Sequence, residues 1–215
     1  VCDSNDLCNG YPDVDLDAFV GTPDACDPLA PIINFNTYSP TSYDSGQDNG
    51  VHDVYDNGAT IYISNNGWKG IDYSYNVTSN TVLEFDFKST IEGEIHYIGF
   101  DTDNALPSNK RYMVFGRDAF PDAEVSTDYN TYNSLNDWEH FSIPIGSDFT
   151  GNISKIFFTA DADVRDNSAG YYNDGTSFFR NVKIYENTLL STPNDDALVT
   201  SVYPNPFTNT ITLQS

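Results

Sequence analysis

Apolar and polar residues alternate most clearly between Val82 and Lys88, where Leu83, Phe85 and Phe87 share one face and Glu84, Asp86 and Lys88 the other. The same period of two runs through Thr60–Ser64, Ile95–Asp101, Arg111–Gly116, Glu139–Ile145, Ile153–Ala160 and Phe178–Tyr185. No segment carries a convincing helical stripe. Seven or more short strands divided by Gly, Asn, Asp and Ser turns, over about 155 residues, predict an all-β fold. The expected architecture is an antiparallel two-sheet β-sandwich, a jelly roll, over residues 32–187.

The pattern fails at both ends. Residues 1–31 hold seven Asp and neither Lys nor Arg, with no apolar period of either kind. Such a segment cannot bury enough surface to fold alone, and needs a metal, a disulfide or a neighbour. Residues 188–200 read as a polar linker. In residues 201–215, Pro204 and Pro206 fix a turn, and Ile211 and Leu213 begin a strand.

Charge narrows the partners. The 215 residues contain 9 Lys plus Arg and 32 Asp plus Glu, a net charge of -23. A phosphate backbone is bound by neutralising it with cations, so nucleic acid is not an expected partner. No run approaches the roughly 18 apolar residues of a membrane helix, and the first residues lack the basic start and apolar run of a signal peptide. A soluble, mature fragment of a larger protein is expected, and a monomer. The three cysteines, Cys2, Cys8 and Cys26, all precede residue 27. An odd count there suggests one pair plus a third thiol, as in an oxidising, secreted setting.

Three chemistries compete within the strands. Glu84 and Asp86 on one strand face invite a glycosidase reading, which requires two carboxyls about 5–5.5 Å apart in a retaining enzyme. However, Lys88 and Ser89 stand where a laminarinase-type pattern has its second Glu, and Glu92 lies beyond. His96, with Arg111 and Tyr112, invites a polysaccharide-lyase reading, but the Arg- and Tyr-containing strand motifs of such lyases are absent. His52 and His140 have no zinc spacing with any Cys. Sugar recognition suits the residues best, because apolar sugar faces stack on aromatic rings and hydroxyls pair with Asp, Asn, Arg and Lys. The candidate carbohydrate-binding residues are Trp68 and Lys69 in a Gly-flanked loop, with Asp86, Lys88, His96, Arg111, Trp138 and Arg165. Tyr171 and Tyr172 are further loop aromatics. A sandwich serving adhesion alone would instead have a flat outer surface free of aromatics, with Trp68 and Trp138 both buried.

In the first segment, Asp13, Asp15, Asp17 and Asp24 offer oxygens at the alternate positions that a hard cation such as calcium collects. The run from Val1 to Asp27 resembles a thrombospondin type 3 calcium repeat, most specifically in its Asp-Leu-Cys and Thr-Pro-Asp-Ala-Cys-Asp pieces. It departs from that family at Ala18, Phe19 and Val20. The resemblance implies bound calcium and favours a Cys8–Cys26 bridge; one further structural ion in the sandwich is allowed for.

The strands "NTVLEFDFKSTIEGEIHYIGFDTDN", "WEHFSIPIGSDFTGNISKIFFTADADV" and "SFFRNVKIYE" resemble a carbohydrate-binding module of secreted polysaccharide-degrading enzymes of marine bacteria. The resemblance covers Ile33 to Glu186. It implies a non-catalytic module that holds an upstream catalytic domain, a glycoside hydrolase, on its polysaccharide. A red-algal galactan (agarose, porphyran or carrageenan) is the expected ligand. The tail "VYPNPFTNTITLQ" is similar to the start of the type IX secretion sorting domain of Bacteroidota, which implies a secreted or cell-surface protein.

Overall fold

The computed structural model describes residues 30–108, 110–117, 124–163 and 174–187. Asp13, Asp15, Asp17, Asp24, Cys8, Cys26, Arg165, Tyr171 and Tyr172, with the linker and the tail, lie outside the described residues.

The strands are β1 (Thr41–Ser42), β2 (Val51–Tyr55), β3 (Thr60–Ser64), β4 (Gly67–Val77), β5 (Thr81–Lys88) and β6 (Ile95–Asp101). They continue as β7 (Lys110–Gly116), β8 (Val125–Ser126), β9 (Glu139–Ile143), β10 (Gly151–Ala160) and β11 (Thr176–Glu186). One sheet has the order β1-β4-β10-β6-β7-β8 and the other β2-β3-β11-β5-β9. Every pairing is antiparallel except β7 with β8. The chain passes repeatedly from one sheet to the other, the winding of a jelly roll. The predicted two-sheet sandwich is therefore the observed fold. No helix among the described residues is long and apolar enough to cross a membrane.

The principal core fills the space between the sheets. Leu83, Phe85 and Phe87 of β5 meet Ile156, Phe158 and Ala160 of β10, Phe179 of β11 and Ile98 and Phe100 of β6. Rings pack at close range: Phe158 lies 5.2 Å from Phe179, and Phe85 5.3 Å from Phe141, between centroids. Aromatic pairs at such distances add about 0.5–1.5 kcal/mol beyond their buried area.

A second cluster, Tyr43, Trp68, Ile95, Tyr97, Met113 and Phe157, is also buried. Phe157 and Phe158 are neighbours in a strand and so point to opposite faces. The second cluster therefore covers the outer face of the six-stranded sheet. Tyr43 lies parallel on Phe157 at 4.1 Å and donates its hydroxyl to Asp101 at 2.6 Å. Phe157 itself lies over Gly99, where an added Cβ would sit 2.3 Å from the ring. Glycine is required there because the ring rests on bare backbone.

The Gly-flanked loop expected around Trp68 is instead the start of β4. Gly67 and Gly70 serve close approach: a Cβ on Gly67 would sit 2.4 Å from Ile63, and one on Gly70 3.2 Å from Tyr43. Arg111 lies, as its alternation predicts, within a strand, β7.

Candidate functional site

The outer face of the five-stranded sheet is built by strand alternation and cross-strand register. Opposite inward Leu83, Phe85 and Phe87, β5 presents Glu84, Asp86 and Lys88, all partly buried. On β11, Lys88 faces Phe178, Asp86 faces Arg180 and Glu84 faces Lys183. On β9, Asp86 faces His140. Opposite charges placed directly across strands in this way stabilise the pairing.

Asp86 is the hub. Its Oδ2 accepts from Arg180 Nε and Asn181 Nδ2, each at 2.9 Å, and its Oδ1 lies 2.9 Å from His140 Nδ1. Two consecutive residues reach one carboxylate because β11 carries a bulge between Arg180 and Lys183, with Asn181 at φ 55°. Asn tolerates that left-handed conformation better than most residues. Burial pushes the Asp86 carboxyl up, but the hydrogen bonds from His140, Arg180 and Asn181 outweigh it and hold the group below its ordinary value. Glu84 behaves alike: burial raises it, while bonds from Tyr185 at 2.5 Å and Lys183 at 2.9 Å leave it lowered overall. The Asp86 hydrogen bond raises His140 above its usual value against a smaller effect of burial.

Aromatic rings complete the face. Tyr55 on β2, Tyr62 on β3, Phe178 on β11 and Trp138, just before β9, form a row with successive centroids 6.4, 4.6 and 6.3 Å apart. From β2 to β9 are four interstrand steps of about 4.8 Å, roughly 19 Å in all. That is room for an oligosaccharide rather than a single ring. The Lys88 ammonium stands 4.6 Å from the Phe178 ring and 4.7 Å from Trp138, and the Arg180 guanidinium 4.0 Å from Trp138. Cation–π contacts of this kind contribute about 0.5–2 kcal/mol each and fix the long side chains. The face thus combines ring surfaces for sugar C–H groups with held donors and acceptors for hydroxyls.

Three of the sequence candidates, Asp86, Lys88 and Trp138, come together here. Tyr55, Tyr62, Phe178, Arg180 and Asn181 join them without having been singled out, as does His140, which the sequence raised only as a zinc ligand. Phe178 and Arg180 do alternate with inward Phe179, a sign that both face outward; what they face depends on register.

The remaining candidates lie elsewhere. Trp68 is 2% exposed within the second cluster, with its indole 6.1 Å from Phe157, so it offers no open ring face. Lys69 is buried in an ion pair with Asp48 at 2.6 Å and also donates to the Gly50 carbonyl at 2.9 Å. Arg111 is buried with its guanidinium over Tyr97 at 5.7 Å. His96 is wholly buried, accepting from Gly93 N at 2.8 Å and bonded to Ser177 Oγ at 2.7 Å; burial drives its pKa down to about 3. These four residues support the fold around them and present nothing to a polymer at the surface.

The lyase constellation does not assemble. Tyr112, the expected partner of His96, instead donates to Asp148 at 2.9 Å, and burial pushes its pKa far up.

A second polar group lies at one end of the six-stranded sheet. Glu94, Asp161 and Asp163 place carboxylate oxygens within 4.8 Å of one another, a set that can hold a metal ion. Burial, reinforced by Asp163 and Glu94, pushes Asp161 up to about 7.

With this geometry in place, comparison with solved structures finds partial alignments at low identity. A family 29 carbohydrate-binding module aligns over 70% of this chain and 77% of its own, with 11% identity and a TM-score of 0.37. A family 30 carbohydrate-binding module aligns over 68% and 80%, with 18% identity and a TM-score of 0.37. The glycoside hydrolase domain of Endo-D from Streptococcus pneumoniae R6 aligns over 68% of this chain and 21% of its own, with 18% identity and a TM-score of 0.38. The chain therefore spans about a fifth of that last structure. No family model and no curated protein matches the sequence.

Proposed function

We propose that this β-sandwich binds a polysaccharide across the outer face of its five-stranded sheet, without cleaving it. One observation carries the reading: the row of Tyr55, Tyr62, Phe178 and Trp138 is left accessible on an open sheet face and flanked by fixed polar groups. An adhesive module with no ligand site would bury both tryptophans, whereas Trp138 is partly exposed. Glu84 and Asp86, the pair weighed for glycosidase chemistry, are both held below the usual carboxylate range, which supports binding without cleavage on this face. Glycoside hydrolysis needs one carboxyl kept protonated as an acid, and neither fills that role.

The ligand we favour is a red-algal galactan, agarose first, then porphyran or carrageenan, as the strand resemblance implies. A net charge of -23 disfavours a heavily sulfated chain. Of the other cations weighed, Lys69 and Arg111 are buried; Lys88 shares the ring face with Arg180 and Lys183, and the latter two are already paired with Asp86 and Glu84. Resemblance of the flanking segments to a calcium repeat and to a sorting domain supports a secreted protein whose module serves an upstream glycoside hydrolase.

Affinity electrophoresis on agar, porphyran, carrageenan, alginate and xylan tests the reading, paired with assays for reducing ends and unsaturated products. The expected result is retardation on one algal polymer with no product released. Absence of retardation on all five, or robust turnover lost on Glu84 or His96 substitution, overturns it.

A further inference from the structure

The start of β6, the end of β10 and the β3–β4 turn converge around Glu94, Asp161 and Asp163. Backbone bonds fix the approach: Glu94 N donates to Asp161 O at 2.7 Å and Asp161 N to Ile95 O at 2.8 Å. Asp163 N donates to Glu94 Oε2 at 3.2 Å. Gly93 permits this proximity, since a Cβ there would sit 2.6 Å from the Asp161 carbonyl oxygen.

Glu94 and Asp161 are 2% and 7% exposed, while Asp163 is exposed. Buried carboxylates of like charge at such range are costly unless compensated. Asp161 Oδ1 is buried and accepts no hydrogen bond.

A separate residue points to the same place. Asn66, 6% exposed in the β3–β4 turn, donates Nδ2 to Asp163 Oδ2 at 3.3 Å and to Gln47 O at 2.9 Å. Its Oδ1, on the same planar amide, is buried without a partner. Native proteins rarely leave such oxygens unmet, and an ion is one of the few things that satisfies several at once.

The donor set defines the ion. Only oxygen is offered, which suits hard cations rather than zinc or copper. Ligands at about 2.4 Å on opposite sides of an ion stand about 4.8 Å apart, so carboxylate oxygens this close to one another can share a calcium ion. The exposed side of Asp163 leaves room for water ligands, which calcium accepts in flexible number.

We propose that Glu94, Asp161 and Asp163, with the Asn66 amide oxygen, bind a calcium ion that ties the ends of β6 and β10 to the β3–β4 turn. Because that turn joins the two sheets, the ion fastens one sheet to the other at this end. The site is separate from the sugar-facing rings.

The full chain is stripped with chelator and its melting temperature followed as CaCl2 is added. Terbium is used in parallel, since Trp68, whose indole N–H faces Asp161, is placed to sensitise its luminescence. The variants are Asp161→Asn and, as a control for the N-terminal segment, Asp15→Asn with Asp17→Asn. In wild type and control, calcium at a hundredfold excess over Kd raises the melting temperature by about 5–10 °C. Terbium luminescence is saturable in both and displaced by calcium. Asp161→Asn shows neither response, yet without calcium melts at or above wild type, because one like charge has been removed. An equal calcium shift in Asp161→Asn, or neither a shift nor luminescence in wild type, overturns the proposal.

Discussion

On the outer face of the six-stranded sheet, Trp68, Tyr97 and Phe157 are roofed by Tyr43; on the outer face of the five-stranded sheet, Tyr62, Phe178 and Trp138 are left partly open. Both faces are rich in aromatics, so ring content does not separate them. The neighbours do. Around Phe157 stand Gly99, Gly70 and a hydrogen-bonded tyrosine that close over the ring. Around Trp138 and Phe178 stand Lys88 and Arg180, whose charges stay in reach of water and keep the sheet uncovered. One tryptophan therefore belongs to a core and the other to a surface that can meet a polymer.

This contrast is broken most forcefully from the buried side. Phe157→Ala should destabilise by about 3–5 kcal/mol, as large aromatic truncations in cores do, read from urea denaturation. Any polysaccharide retardation should persist in the fraction that remains folded. Lys69→Ala should cost somewhat less, about 2–3 kcal/mol, because the buried Asp48 carboxylate loses its counter-ion but keeps the backbone N–H bonds of Trp68 and Gly50. A loss under about 1 kcal/mol in either variant would mean that this face is more open than described.

On the other sheet the expected effects move from stability to binding. Trp138→Ala should weaken affinity by about 2 kcal/mol, roughly 30-fold, while costing about 1 kcal/mol of stability through its lost contacts with Lys88 and Arg180. Equal binding by variant and wild type would remove Trp138 from the site.

The smallest effect concerns His140. Its folded-state pKa is raised by Asp86, so its contribution to stability is complete below the unfolded value of about 6.5 and fades as pH rises through the folded value. Wild type should accordingly exceed His140→Gln in melting temperature at pH 6 and converge with it by pH 8. A difference that grows with pH would contradict the Asp86 pairing.

Alternation made β5, β6, β9 and β10 readable from sequence, since each carries apolar residues on the side facing the core. Strand β4 was not readable in the same way. Gly67 and Gly70 imitate loop punctuation, and only the packed structure shows them admitting Ile63 and Tyr43. For the candidate site, sequence supplied Asp86, Lys88 and Trp138 as residue types but not their meeting, which depends on the register of β5 with β11 and β9. The same limit hid Glu94, Asp161 and Asp163: 67 positions separate the first two, and no local spacing marks a site closed by strand ends. Trp68 misled for the opposite reason, because an aromatic beside glycines reads alike whether it caps a loop or rests on bare backbone.

The chain has two tryptophans, one on each side of the contrast, and fluorescence titration with soluble oligosaccharides cut from the retarding polymer reads them separately. Trp68→Phe should keep the ligand-induced change in emission and Trp138→Phe should lose it. A change that disappears with Trp68 and survives without Trp138 would contradict the contrast.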